Sequence, residues 1–366
     1  MYINVSTYKR IKKVYKILKF NFGIKFLSIL VGFYILLVRT LVFIFSIFDY
    51  IFFPKVQFLK IKNPIVIVGN PRSGTTFLHH FLTQNKFGTG SQLWQMLYPS
   101  ILLQKLIKPL LPFLEKYSPT RYHNTDAHKT SLTSVETDDA SIFFRYLDGF
   151  FLYGFLLSWD ENDLFDWVDP KKRDTSNRDF KWLKHIWKRV LIFNNQDRII
   201  GKLFSISANM PKFQKQFPDA KVLYMVRDPL SVIPSGLSLV TGVLDKMFGF
   251  WSLPETKRTK FIENLYRGLV ELLNRFHNDW IDDKINKEKV MIVHFDRMMN
   301  DFEGLMIDIS KFLDIEINEE LKQEISDISV SQKSFKSKHK YDLNKFGLSE
   351  IKIKKDCKNI YETFID

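Results

Sequence analysis

Residues 26–53 read FLSILVGFYILLVRTLVFIFSIFDYIFF, a nearly unbroken apolar run with Arg39 near its middle. A helix of about 20 apolar residues suffices to span a bilayer. Residues 26–45 hold fifteen Leu, Ile, Phe or Val. Each favours insertion by ~0.3–0.6 kcal/mol, against ~2.5–3.5 kcal/mol for a central Arg. The balance predicts a membrane-associated segment. It either spans, with its basic N-terminus in the cytoplasm, or forms an interfacial hairpin bent near Arg39. No small-residue cleavage site follows it, so it does not read as a cleaved signal peptide. Upstream, Ile11, Val14, Tyr15, Leu18 and Phe22 recur at helical spacing among Lys9, Arg10, Lys12, Lys13, Lys16 and Lys19. That pattern predicts a basic amphipathic helix suited to an anionic lipid surface.

Pro54 ends the apolar run, residues 55–62 read as a polar linker, and the pattern then changes. PIVIVG (residues 64–69) is a short apolar run that fits a strand buried on both faces. After a Gly-, Ser- and Thr-rich turn, Phe77, Leu78, Phe81 and Leu82 mark one face of a helix over Thr75–Gln84. Helical stretches follow to about residue 114, then a polar, turn-rich segment over residues 117–137, then further helices to about residue 193. RIIGKLFSI, AKVLYMVRDP and KVMIVHFDRM read as three more strands, and DFEGLMIDISKFLDI as an amphipathic helix. Alternating strands and helices predict an α/β chain: a three-layer, P-loop-like fold with a central parallel sheet flanked by helices. The expected organisation is a membrane-associated segment over residues 1–60 and an enzyme domain over residues 61–366.

Composition narrows the chemistry. The formal net charge of +14 suggests anionic partners. With no zinc-finger, homeodomain or RNA-binding signature, nucleic acid is not expected among them. Cys357 is the only cysteine, so no internal disulfide is possible, and no histidine pair has metal-ligand spacing. No metal is expected.

The turn after the first strand, GNPRSGTT, spaces Gly69 and Gly74 as a P-loop does, but threonine stands where the P-loop lysine would be. Backbone amides and a helix N-terminus can still face an anion, with hydroxyls from Ser73, Thr75 and Thr76. The positive charge comes from Arg72, inside the loop. Reach toward β- and γ-phosphates is lost, and no Walker B acid is evident, Asp228 being flanked by Arg227 and Pro229. This weakens a kinase reading.

NPRSGTTFLHHFL resembles the 5′-phosphosulfate loop of the sulfotransferases that use 3′-phosphoadenosine-5′-phosphosulfate (PAPS), whose pattern is P-[KR]-[ST]-G-[TS]-[TS]. VLYMVRDPLSVIPSGLSL is similar to their second motif, an apolar strand ending in Arg with Ser eight positions later, here Arg227 and Ser235. SFKSKHKYDLNKFGLSE resembles the C-terminal SxHxYxLxxFGL segment of one branch. The resemblance implies cofactor contacts from Arg72, Ser73, Gly74, Thr75, Thr76 and Phe77 at the 5′ end. It implies contacts from Arg227 and Ser235 at the 3′-phosphate, and from Lys336, Lys338 and His339 over the phosphates. It implies in-line sulfuryl transfer to a hydroxyl or amine, releasing adenosine 3′,5′-bisphosphate. Arg72 would neutralise charge, and Glu136 or His128 would take the acceptor's proton. Pro234 reads as part of a helix's first turn, and Lys202 as a support for the cofactor.

The acceptor is expected to be a small molecule, a lipid or a glycan. Two alternatives are a degenerate P-loop kinase or NTPase, and a non-catalytic PAPS-binding membrane protein. A lone cysteine and a single glycosylation sequon, at Asn4, favour the cytoplasmic face of a bacterial inner membrane over a Golgi-type lumenal site.

Overall fold

The computed structural model describes residues 3–118, 130–334 and 342–365. The chain divides into two compact units. One comprises residues 1–61, 89–199 and 237–268. The other comprises residues 62–88, 200–236 and 269–366.

The second unit holds a four-stranded, all-parallel sheet: β1 (Ile65–Val68), β2 (Ile200–Lys202), β3 (Lys221–Val226) and β4 (Val290–His294). The strand order is β2-β1-β3-β4. Every side chain of β1 is buried, as its continuous apolar run requires. Strand alternation sends β3 to two layers. Leu223 and Met225 join a core with Leu78, Phe81, Phe302 and Ile309, which belong to helices Thr75–Gln84 and Phe302–Leu313. Tyr224 points to the opposite face and stacks on Phe276 of helix Glu255–Ile281. The expected three-layer arrangement is therefore present. All four strands fall inside their expected stretches. β2 is shorter than its apolar run, because Ser205–Ala208 winds into a 3-10 turn.

The other unit carries the N-terminal helices. Helix α1 (Thr7–Phe22) ends at Gly23, whose left-handed backbone closes the last turn onto Leu18 and Lys19. Its buried residues are Arg10, Val14 and Ile17. Of the apolar stripe expected to meet lipid, Val14 is packed against protein, while Ile11 is 48% exposed. Arg10 donates to the carbonyls of Leu147 and Tyr146, at the C-terminal end of helix Asp139–Tyr146. Leu147 adopts a left-handed conformation there, and Asp148 caps the next helix at Gly149. Asp148 is buried among Arg10, Arg173 and Arg178. A carboxylate so paired is costly to strip of its partners, and the break is held in place.

Helix α2 (Phe26–Phe52) runs unbroken through Arg39, so the hairpin bend expected at that residue is absent. It is long and apolar enough to cross a membrane. Arg39 donates to the carbonyl oxygen of Phe144, another open acceptor of the Asp139–Tyr146 helix. Asp49 is fully buried. It accepts from the Ser100 hydroxyl, the Ile101 and Leu102 amides, and Arg189 at 2.8 Å, capping helix Ile101–Ile107. Residues 55–62 are not merely a linker: Lys55–Phe58 forms one helical turn and buries Val56.

Candidate active site

β1 lies between β2 and β3, so the chain leaves it toward one neighbour and later returns on the other side. Anions bind at such a switch point, beyond the carboxyl ends of the strands. The loop over residues 69–74 stands there. Gly69 has φ +145°, and a Cβ on it would come within 2.8 Å of the Met225 carbonyl oxygen. Gly74 has φ +91°, and a Cβ on it would meet Met298 and Phe295. Only glycine suits either position. Arg72 also takes a positive φ, +79°, a strained conformation for a residue with a side chain.

Three contacts brace the strained loop. Asn70 donates to the Leu269 carbonyl at 2.9 Å. The Ser73 hydroxyl donates back to the Asn70 carbonyl at 2.7 Å, so this buried side chain closes the loop from inside. Arg227, just past the end of β3, donates from Nη1 to the Arg72 carbonyl at 2.7 Å and stacks over Phe295.

Arg72 turns its guanidinium to Ser235, with Nε 2.9 Å from Oγ. The structure therefore brings together Arg72, Arg227 and Ser235, from three separate stretches of sequence. Ser235 sits in the second turn of helix Pro229–Phe248. Pro234 lies inside that helix rather than in its first turn. The Phe77 ring packs on Phe302 in the core, so Phe77 can offer an anion only its amide. Gly74 caps the helix, and the Thr75, Thr76 and Phe77 amides are its first-turn donors. Lys202, at the end of β2, is buried and donates to the Thr76 hydroxyl at 3.2 Å.

Asp228 is turned away from this cluster. It caps its own helix at the Leu230 amide and accepts the Tyr361 hydroxyl at 2.5 Å. Burial, followed by that contact, pushes the Tyr361 phenol up. The loop thus faces guanidinium groups, amides, hydroxyls and an ammonium. All are donors, a set suited to phosphate and sulfate oxygens.

Glu136 belongs to the other unit. It is buried there, its amide donating to the Ser91 carbonyl, near the Ser91–Asp138 hydrogen bond. His128, Lys336, Lys338 and His339 lie outside the described residues.

The model of the sulfotransferase family matches residues 64–319, more than half of the chain, and the chain belongs to that family. Over 188 residues it is 27% identical to omega-hydroxy-beta-dihydromenaquinone-9 sulfotransferase Stf3 of Mycobacterium bovis and of Mycobacterium tuberculosis. That match covers 48% of this chain and 45% of each relative, so the chain spans about half the length of the curated relatives it matches. Among solved structures, sulfotransferase STF1 from M. tuberculosis aligns with a TM-score of 0.70 and 17% identity, over 96% of this chain and 90% of that one. STF9 from Mycobacterium avium aligns with a TM-score of 0.67 and 17% identity, over 87% and 81%. Both share the fold.

Proposed function

We propose that the protein transfers a sulfuryl group from PAPS to a hydroxyl of a membrane lipid. The observation that carries this reading is the convergence of Arg72, Arg227 and Ser235 on a phosphate-type loop without the P-loop lysine. Bound PAPS supplies the sulfuryl group and, as leaving group, adenosine 3′,5′-bisphosphate. The first-turn amides of Thr75, Thr76 and Phe77 hold the 5′-phosphate, with the hydroxyls of Thr75 and Thr76. Arg227 and Ser235 hold the 3′-phosphate. Arg72 neutralises charge on the oxygen that leaves sulfur, moving off Ser235 to do so. The acceptor's oxygen bonds to sulfur as the bond from sulfur to the 5′-phosphate oxygen breaks, and a general base receives the acceptor's proton. Lys202 steadies Thr76.

A lipid acceptor is supported by α2 and by the relatives, which are named as sulfotransferases of an omega-hydroxy-beta-dihydromenaquinone. The enzyme would work at the cytoplasmic face of a bacterial inner membrane.

The test combines PAPS carrying radiolabelled sulfur with membrane lipid extract and identifies the product by mass spectrometry. A sulfated lipid is expected, with at least a hundredfold loss in Arg72→Ala, within the range for removing a group that stabilises transition-state charge. If no lipid gains label while adenosine 3′,5′-bisphosphate still binds, the catalytic reading fails. If Mg-ATP binds and the bisphosphate does not, a kinase or NTPase reading replaces it.

A further inference from the structure

The contacts of α2 fall on one stripe. Tyr34 meets Tyr98 hydroxyl to hydroxyl at 3.0 Å, Arg39 bonds Phe144, and Val42, Ser46 and Asp49 are buried. From Tyr34 to Asp49 this stripe runs roughly 22 Å along the helix. The rest of the helix is bare and apolar. Phe26 is 82% exposed, Phe33 66%, Phe43 60% and Phe52 62%. With side chains of ~150–250 Å² each, these four alone present roughly 400–700 Å². Soluble monomers rarely expose a larger apolar patch. A second exposed stripe continues on the helices over residues 101–117, where Leu106, Leu110, Phe113 and Tyr117 follow helical spacing. Asp49 ties the start of those helices to α2.

The chain on both sides of α2 packs on the same unit. Before it, α1 is fixed by Arg10 and by the 2.6 Å ion pair of Lys13 with Asp160. After it, Val56 is buried and its carbonyl accepts from Lys188. A helix tied to one folded unit before its start, along its length and after its end cannot cross a bilayer without pulling that unit's buried Asp49–Arg189 pair into hydrocarbon.

Charge points to the occupant. The first 48 residues contain no acid. Lys25, at the N-cap of α2, and Lys105, Lys108 and Lys116, on the helices over residues 101–117, are exposed, as are Lys12 and Lys16 of α1, and Lys105 lies 4.7 Å over the Phe53 ring. Lysines beside an apolar face match anionic headgroups, with their stems reaching along the apolar surface.

We propose that α2 and the helices over residues 101–117 form a docking face. It lies in the plane of an anionic bilayer, with both ends of α2 on the same side. The argument uses only the unit that carries α2 and stands apart from the reaction.

Single cysteines at Lys12→Cys and Lys60→Cys, in the full chain, read the topology in sealed membrane vesicles with an impermeant maleimide. Cys357 is buried, and burial pushes its thiol up to about 12, so it stays silent. Both sites should label from the same side. Labelling from opposite sides overturns the proposal.

A second measurement uses Phe33→Glu with Leu37→Glu, which point away from the packed stripe. Flotation on phosphatidylglycerol/phosphatidylcholine vesicles should fall at least about tenfold with an unchanged melting temperature, since a charged apolar face loses its lipid affinity. Wild type should float more weakly on phosphatidylcholine alone. A wild-type protein that forms a soluble dimer through this face and does not float also overturns the proposal.

Discussion

Arg227 has two partners to serve. Its guanidinium braces the loop through the Arg72 carbonyl and, on the proposed reading, also binds the 3′-phosphate. The two roles separate in a binding experiment. Charge-assisted hydrogen bonds are worth ~1.5–3 kcal/mol. Arg227→Ala should therefore weaken adenosine 3′,5′-bisphosphate by calorimetry roughly ten- to hundredfold more than adenosine 5′-phosphate, whose smaller loss measures the brace. Equal losses for both nucleotides would make Arg227 a brace only. At this scale the sequence was informative where chemistry is local. The glycines, Arg72 and the threonines are contiguous, and Arg227 and Ser235 keep a fixed spacing. Lys202 has no such local pattern around it, since GKLFSISANMP lacks the Lys-Ser-Pro run, and its contact with Thr76 joins positions 126 residues apart.

Among the elements, α2 departs most from its sequence reading. Hydropathy describes it as uniformly apolar, yet its stability in place depends on one carboxylate. Asp49 supplies the cap of helix Ile101–Ile107 and an ion pair with Arg189, both out of water. Removing one partner of a buried pair costs ~3–5 kcal/mol, because the other charge is left uncompensated. Asp49→Ala should lower stability by about that much in urea unfolding followed by tryptophan fluorescence. Adding Arg189→Met should recover part of the loss. A loss under about 1 kcal/mol would mean that the pair does not hold α2. The same logic applies to α1. Its apolar stripe was visible, but periodicity cannot tell which of its residues meet protein: Val14 is buried and Ile11 is exposed.

For the whole molecule, the acid response follows from two histidines, His185 in one unit and His79 in the other. Burial, with Arg189 nearby, lowers His185 to about 3. Burial, with Lys202 nearby, lowers His79 well below the usual range, and its Nε2 faces the Ile200 carbonyl. Both are neutral when folded and take a proton near pH 6.5 when unfolded. Their contribution is complete above about pH 6.5 and is lost as pH falls toward the folded values, at about 1.4 kcal/mol per pH unit for each histidine. Asp148 adds a later loss. Burial raises its carboxyl, but the Arg173 hydrogen bond and the charges of Arg173, Arg10 and Arg178 outweigh that and hold it down. Its contribution is present above about pH 4 and fails below. Melting temperatures should thus begin to drop near pH 6.5, and His185→Gln should flatten that first slope. A profile flat from pH 8 to pH 4.5 would contradict this.

The sequence by itself determined the parallel α/β sheet, the phosphate-type loop and the sulfotransferase family. Each rests on short-range pattern: continuous apolar strands, glycines at a required spacing, and an arginine at a strand end. Tertiary structure alone decided that Arg72 rests on Ser235, that Asp228 serves a helix rather than a site, and that Arg10, Val14 and Ile17 of α1 and one stripe of α2 are spent on protein. Those outcomes depend on which distant donors and acceptors meet once backbone groups must be satisfied out of water, and no local pattern encodes that pairing.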